Sequence, residues 1–165
     1  SMASESSPAA QPRTSSSAAM EILKKFRIII GAVRRHSRAL ESACGVGGAQ
    51  VWMLAAIAAT PDITVSRLSR ALSIHVSTAS NLLDKLAKRG LVERLRTDDD
   101  RRAVRLRITP AGQAILDRAP QPVTGLIIDA LGRMPRESLA RLDKDLSCLI
   151  DHLNTTDPSA ANEPL

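Results

Sequence analysis

Basic side chains concentrate in one part of the sequence, residues 85–107. This stretch holds nine lysines and arginines against four acidic residues, so it carries nearly all of the formal net charge of +6. Ammonium and guanidinium groups bind phosphates, and such a cluster is typical of surfaces that bind nucleic acid. The charge therefore favours an acidic partner, such as a nucleic acid or an anionic membrane.

Within this stretch, the run TDDDRR at residues 97–102 sets three aspartates against two arginines. A carboxylate can hold a neighbouring guanidinium through a bidentate hydrogen bond, so less side-chain entropy is lost when the arginine binds. The pattern predicts that Asp100 orients Arg101 or Arg102 toward the nucleic acid. A solvated turn, in which the aspartates bond only to the local backbone, is the simpler alternative.

The elements on either side of this run are predicted to be two strands. Residues 103–108, AVRLRI, alternate aliphatic side chains with arginines, which is the period of a half-buried strand. Residues 91–96, LVERLR, form the other strand. The aspartates and arginines then lie at the tip of a β-hairpin.

Two short helices are predicted before this hairpin. Thr64 can cap the first, and Ser77 can cap a second that runs to Arg89 and ends at Gly90. Apolar side chains gather on one face of the second helix. The opposite face carries Ser77, Ser80, Asn81, Asp84, Lys85 and Lys88. Two helices and a hairpin in this order indicate a winged helix-turn-helix, although an ordinary helical hairpin with a solvated face gives the same helical pattern.

Longer helices are predicted on both sides of this region. Residues 18–44 carry an apolar stripe that stops at a cluster of glycines, and residues 49–59 are apolar on almost every side. Near the C-terminus, five leucines are spaced by 3, 4, 3 and 4 residues, the pattern of a packed helix seam. They are Leu139, Leu142, Leu146, Leu149 and Leu153. Packing against a second copy of the chain is our expectation, and packing within one chain is the alternative. Pro120 and Pro122 predict a break near Ala119.

The residues from 63 to 112 resemble the MarR family of bacterial transcriptional regulators. Four motifs match in order: the S-T-x-S-x-x-L-D-x-L pattern at 77–86, RGLVER at 89–94, DDDRRAVRLRIT at 98–109 and TPAG at 109–112. With the flanking helices the similarity extends over roughly residues 20–154. The resemblance implies a homodimer that binds pseudo-palindromic, double-stranded DNA with an inverted-repeat operator, usually as a repressor released by a small molecule or an oxidant.

The resemblance also implies roles for individual residues. Asp100 and Arg102 match the D-x-R element of the family's wing, whose arginine enters the minor groove. The start of the recognition helix reads base edges, and other basic side chains hold phosphates. On these grounds the DNA-binding residues are Ser77, Thr78, Ser80, Asn81, Lys85, Lys88, Arg94, Asp100, Arg101 and Arg102.

The predicted fold is mainly α: a winged helix-turn-helix with a two-stranded β-wing and N- and C-terminal dimerisation helices. Disordered tails cover residues 1–17 and 155–165, where serine, alanine and proline dominate. Between them lie the N-terminal dimerisation helix at 18–44, the DNA-binding domain at 48–112 and the C-terminal dimerisation helices at 113–154.

A small aromatic or anionic effector is a further expectation, because family members often bind such acids between the winged domain and the dimerisation helices. His36, Trp52 and Met53 border that position. A core role for Trp52 and a solvated His36 are the simpler interpretations. Cys44 is the candidate for an oxidant-sensing thiol, since some family members sense oxidants by cysteine.

Several function classes are disfavoured by the sequence. The three histidines have no metal-ligand spacing, and phosphate-loop, dinucleotide and nucleophile-elbow patterns are missing, so we expect no enzyme, no metal and no cofactor. No apolar run of eighteen residues occurs, which predicts a cytoplasmic protein without a membrane partner. A cysteine-based regulator of the same fold, or a winged-helix module that binds an acidic protein surface, remains as the alternative.

Overall fold

The computed structural model describes residues 16–96, 103–153 and 157–164. Its elements follow the chain in this order: α1 Ser17–Cys44, α2 Gly48–Ala59, β1 Ile63–Thr64, α3 Val65–Leu72, α4 Val76–Lys88, β2 Val92–Arg96, β3 Val104–Ile108, α5 Pro110–Arg118, α6 Leu126–Arg133, α7 Arg136–Asp151 and a 3-10 helix Pro158–Asn162. The mainly helical fold with a winged helix-turn-helix, predicted from the sequence, is confirmed.

The sheet has three antiparallel strands in the order β1-β3-β2, one more than predicted. β3 is the central strand, because Leu106 faces Ile63 of β1 on one side and Arg94 of β2 on the other. β1 is only two residues long, too short to show a period-two pattern. It closes the base of the wing against the start of α3.

The hydrophobic core lies inside the winged region. α2 runs through its centre and buries Val51, Met53, Leu54 and Ile57, as its apolar circumference predicts. α3, α4, β3 and α5 pack around it. The C-terminal end of α1 also belongs to this core, since Leu40 and Cys44 are buried there.

Local sequence signals explain most of the helix ends. Gly45 ends α1 in the left-handed conformation, with φ of 71°, and Thr64 caps α3 by accepting a hydrogen bond from the backbone N–H of Arg67. The predicted cap of α4 is wrong: His75 occupies the N-cap position, and Ser77 lies inside the first turn. The helix therefore starts two residues earlier than a cap at Ser77 implies.

The TPAG motif has a packing reason. Thr109 caps α5 and its hydroxyl donates to the carbonyl oxygen of Gly90 at 2.6 Å. A Cβ atom at Gly112 would lie 2.2 Å from the carbonyl oxygen of Leu91, inside any allowed contact. Only glycine lets α5 pack this closely on the backbone that leads into β2.

The helices outside the winged region bury almost nothing in a single chain. α6 and α7 contain no buried residue.

α5 ends at Arg118 and Ala119 is its C-cap, which is the break that the two prolines predict. Where the composition of residues 155–165 predicts a disordered tail, a 3-10 helix covers Pro158–Asn162.

Among the residues that the structure describes, no single helix is long and apolar enough to cross a membrane. Only α1 and α2 taken together reach that length and composition, and 66° separates their axes.

Candidate nucleic-acid interface

α4 presents a polar and basic face to solvent. Ala79, Leu83 and Leu86 are buried against the core. The predicted contact residues lie on the other side: Ser77, Asn81, Lys85 and Lys88 are exposed, and Thr78 and Ser80 are half-buried. Because His75 takes the N-cap position, the hydroxyl of Ser77 is not needed to cap the helix. The first turn of α4 therefore offers hydroxyl and amide groups to a partner.

Arg94 in β2 was predicted to hold a phosphate. Its guanidinium forms an ion pair with the carboxylate of Asp84, and both side chains remain about half exposed. Asp84 lies on the outer face of α4, so this pair joins the recognition helix to the wing. A phosphate contact by Arg94 would have to share the guanidinium with this carboxylate.

Two other arginines of the basic stretch meet Asp62, in the turn before β1. Nε of Arg107 donates to Oδ1 of Asp62 at 2.7 Å, and Nη2 donates to Oδ2 at 3.3 Å. Arg105 donates to the backbone carbonyl oxygen of Asp62 at 3.4 Å. The hydrogen bond from Arg107 lowers the pKa of Asp62 below its usual range. Reciprocally, Asp62 raises the pKa of Arg107.

Arg89, at the C-cap of α4, is also engaged. Nη1 donates to the carbonyl oxygen of Gly45 at 2.6 Å, where α1 ends. A cation suits the negative end of a helix dipole. The basic stretch thus contains arginines that are bonded to a carboxylate or a carbonyl oxygen, and lysines such as Lys85 and Lys88, which are also exposed. Counting charges along the sequence does not reveal the partners of these arginines, because Asp62 and Gly45 lie far from residues 85–107 in sequence.

The tip of the wing lies outside the described residues. Asp100, Arg101 and Arg102, the predicted minor-groove element, all fall in the gap at 97–102. β2 and β3 converge on it from Arg96 and Val104, which face each other in the register. β2 and β3 are therefore the paired strands on either side of residues 97–102.

A cavity of about 360 Å³ lies between α1, α2, the end of α3, the start of α6 and the C-terminal segment. Of the effector candidates, His36 and Trp52 line it, whereas Met53 is fully buried in the core and does not. Nε2 of His36 donates to the carbonyl oxygen of Pro122 at 3.0 Å, in the tautomer that carries the proton there. A volume of this size suits a small organic ligand.

The C-terminal segment also touches this cavity. Ala160, Ala161, Glu163 and Pro164 line one wall. The backbone N–H of His75, at the start of α4, donates to the carbonyl oxygen of Asn162 at 3.3 Å. The C-terminal segment therefore contacts both the cavity and the start of the recognition helix.

Cys44 has the wrong surroundings for an oxidant sensor. The thiol is buried at the end of α1, 3.8 Å from the carbonyl oxygen of Ile115. Burial raises the pKa of the Cys44 thiol, and the positive charge of Arg118 only partly offsets that effect. A sensing thiol needs exposure and a lowered pKa. Within the described residues, no group of histidine, cysteine and carboxylate side chains could hold a metal ion.

Comparison with known proteins agrees with this geometry. A sequence model described as the MarR family matches residues 45–103. The chain is 26% identical over 126 residues to the uncharacterized HTH-type transcriptional regulator YsmB of Bacillus subtilis (strain 168), covering 76% of this chain and 86% of that protein. It is 31% identical over 106 residues to the multiple antibiotic resistance protein MarR of Escherichia coli (strain K12), covering 62% of this chain and 74% of that protein.

A solved structure shows the same likeness. A mutant MarR from E. coli complexed with operator DNA superposes with a TM-score of 0.53 at 25% identity, covering 82% of this chain and 99% of that one. The matched length includes the helices on both sides of the winged region. These relatives are regulators and not enzymes, as the sequence predicts. The chain belongs to the MarR family and is a DNA-binding transcriptional regulator with a winged helix-turn-helix fold.

Proposed function

We propose that this regulator is a homodimeric repressor that binds an inverted-repeat operator and is released by a small aromatic molecule. The proposal rests on a contrast between two parts of the chain. The winged region has a complete core, whereas the helices beside it have apolar side chains that are exposed to solvent. Exposed apolar side chains of α1 include Ile22, Ile28, Ile29 and Ile30, and those of α7 and its end include Leu146, Leu149, Ile150 and Leu153.

These surfaces favour a second copy of the chain as the partner. Ile28 is 68% exposed and Ile150 is 52% exposed, values that are costly for an isolated monomer in water. A two-fold axis would bring the same helices of both copies together and bury both sets of side chains. The exposure of these side chains in a single chain favours a dimer over the alternative from the sequence, packing within one chain.

Such a dimer would carry two recognition helices. In helix-turn-helix dimers these helices enter successive major grooves, about 34 Å apart, so the operator is an inverted repeat. The exposed and half-buried residues Ser77, Thr78, Ser80 and Asn81 are then the base-reading groups, and Lys85 and Lys88 hold phosphates. Asp100 and Arg102 act in the minor groove, where the negative potential favours arginine. A dimer on a promoter blocks transcription, hence the proposed repression.

The cavity is the proposed effector site. Its walls are mostly apolar, and the indole of Trp52 offers a face for stacking. Leu72, Ser73 and Ile74 form the turn between α3 and α4 and line the same cavity. A ligand that shifts this turn shifts the recognition helix, and the change in DNA affinity is set by the ligand's preference between the two positions.

The DNA proposal is tested by fluorescence anisotropy at about 0.15 M salt. The probe is the intergenic DNA next to the regulator's own gene, with a shuffled duplex of equal length as control. We expect the native duplex to bind at least about 10³-fold more tightly than the shuffled one. Equal and weak binding to both duplexes, followed by failure to enrich a site from a random library, would contradict the proposal.

The effector proposal is tested with benzoate as the aromatic probe. Trp52 is the only tryptophan of the chain, so its emission reports on the cavity. We expect benzoate to change this emission and to weaken operator binding. Ala49→Leu fills the cavity and should remove both effects, whereas Ala59→Leu, exposed at the end of the same helix, should not. An unchanged response in Ala49→Leu would place the ligand elsewhere.

A further inference from the structure

We infer that Asp62 is a positioning residue for DNA binding, which fixes the direction of the wing by holding its central strand β3. The inference rests on the proposed function, in which the tip of the wing contacts DNA. Asp62 itself lies in the turn before β1 and is neither part of the recognition helix nor one of the predicted contact residues.

Four hydrogen bonds join Asp62 to β3. Its backbone N–H donates to the carbonyl oxygen of Leu106 at 3.1 Å, and its backbone carbonyl accepts from Arg105. Its carboxylate accepts the two bonds from Arg107. One residue therefore binds three consecutive residues of the strand that leads directly from the wing tip.

The backbone conformation of Asp62 supports a specific role. Its φ is +66°, in the left-handed region that only glycine adopts without cost and that aspartate and asparagine tolerate better than other residues. Glycine would satisfy this turn but would offer no carboxylate to Arg107. The chain therefore combines a demanding backbone conformation with an acceptor for the guanidinium.

The contact at Asp62 is one of two anchors of the wing. On the other side of the sheet, Arg94 in β2 is paired with Asp84 of α4. β3 is thus held from the β1 side, and β2 is held from the recognition helix. The two strands on either side of residues 97–102 are thus both anchored, β2 to α4 and β3 to the turn before β1. Strands that are held before binding lose less freedom when the arginine of the proposed wing contact enters a groove.

The anchor at Asp62 contributes orientation more than global stability. Both side chains of the Asp62–Arg107 pair are about half exposed, and exposed ion pairs add little to the free energy of unfolding. Because Arg107 lowers the pKa of Asp62, the carboxylate stays ionised at neutral and mildly acidic pH. The pair is therefore present under the conditions in which the operator is bound.

The test is a double-mutant cycle in the full-length dimer, with operator affinity as the readout. Asp62→Asn keeps the size of the side chain and its tolerance of positive φ, and it removes the charge. Asp117→Asn, exposed on α5, gives the same change in charge away from the wing. Both are measured in the wild-type chain and in Arg102→Ala.

We expect Asp62→Asn to weaken operator binding, by about fivefold at most for an exposed pair, in the wild-type chain. In Arg102→Ala it should have no further effect, since the tip arginine through which it acts is gone. Asp117→Asn should leave the affinity unchanged or raise it slightly, because loss of a negative charge favours binding to DNA. By its charge alone, Asp62→Asn would likewise strengthen binding to DNA. Weaker operator binding by this variant therefore cannot result from the change in charge.

Other results would overturn the inference. Equal weakening in both backgrounds would mean that Asp62 acts through folding, and unchanged affinity would mean that it does not position the wing. If Arg102→Ala alone leaves operator affinity intact, the wing contact in the proposed function fails, and the inference falls with it. Arg107→Gln is the second variant, should Asp62→Asn fold poorly; because it removes a positive charge, the criterion is that its effect depends on Arg102, and not the sign of the effect.

Discussion

The winged region and the helices that flank it differ in how far one chain completes them. In the winged region, α2 is surrounded by neighbours, and side chains such as Leu54, Leu68 and Leu106 are fully buried. In α6 and α7 no residue is buried, although both helices carry apolar faces. The same kind of amphipathic sequence is thus satisfied within the chain in one region and left open in the other.

This contrast separates folding from assembly. The core of the winged region is complete within one chain, whereas apolar side chains of the flanking helices stay exposed. The boundary runs through α1, because its N-terminal part is exposed while Leu40 and Cys44 join the winged core. In the proposed dimer, α1 would therefore join the interface directly to the core of the winged region.

The largest effect is expected from the centre of the winged core. Leu54 is fully buried, so Leu54→Ala leaves a cavity that the surrounding side chains can fill only in part. We expect a loss of about 2–5 kcal/mol in the free energy of unfolding. Urea unfolding followed by circular dichroism measures this loss. A change below about 1 kcal/mol would show that the winged region is less complete than its burial indicates.

The open helices are tested by charge. Leu146→Glu together with Leu149→Glu places carboxylates on the apolar face of α7, and we expect dimers to dissociate. Operator affinity should fall by about a hundredfold or more, because the two half-sites are no longer bound by one linked molecule. Sedimentation velocity and anisotropy measure the two changes. Ser147→Glu, off the leucine seam, is the control; a dimer that survives the double substitution would contradict the assignment of α7 to the interface.

The DNA-facing side of α4 is the part of the winged region that is expected to remain open for an external partner. We expect Asn81→Ala to cost about 1–3 kcal/mol for the preferred operator and to relax its sequence preference. Lys88→Ala should weaken all sequences alike and reduce the salt dependence of binding by about one phosphate contact. Anisotropy with operator and shuffled duplexes over a salt series separates the two. If Lys88→Ala alters the sequence preference, Lys88 reads bases and does not merely hold a phosphate.

A smaller effect is expected from Arg94, the basic residue of β2 that forms an ion pair with α4. Because its guanidinium is paired with Asp84, Arg94→Gln should change the salt dependence of DNA binding less than Lys85→Gln does. The same salt series measures both variants. A larger change for Arg94→Gln would show that the phosphate replaces Asp84 in the complex.

The smallest effect is expected at Cys44, on the boundary in α1. Since the thiol is buried and its pKa is raised, treatment with hydrogen peroxide at neutral pH should leave operator binding unchanged as far as this residue is concerned. Cys44→Ser with and without peroxide gives the comparison. Loss of binding in the wild-type chain, abolished by Cys44→Ser, would restore the oxidant-sensing alternative.

Local patterns predicted most of this fold. The period of the helices, the alternation in β3 and the caps at Thr64 and Gly45 depend on neighbouring residues, and all appear in the structure. β1 was missed because two residues carry no pattern, and its existence depends on pairing with β3. The start of α4 was placed too late because Ser77 is a good capping residue by type, although the chain turns into the helix at His75.

The candidate interface was harder to predict because its charges are paired over long distances in sequence. Composition alone identifies the basic stretch, but the acceptors of Arg89 and Arg107 lie near residues 45 and 62. The cavity likewise combines four helices and the C-terminal segment, which no local pattern relates to one another. His36 and Trp52 were selected from the family resemblance, and Met53 shows that adjacency in sequence does not determine which side chain faces a cavity.

The strand order β1-β3-β2 has a consequence for folding. β2 and β3 can pair as a local hairpin, but β1 pairs only with β3, and the whole helix-turn-helix lies between them in sequence. Contacts of this range close late, because the entropy of the intervening loop must be lost before they form. During synthesis α3 and α4 leave the ribosome before the strand that completes the sheet. The pairing that closes the sheet on the β1 side therefore forms only after the last strand of the wing has been made.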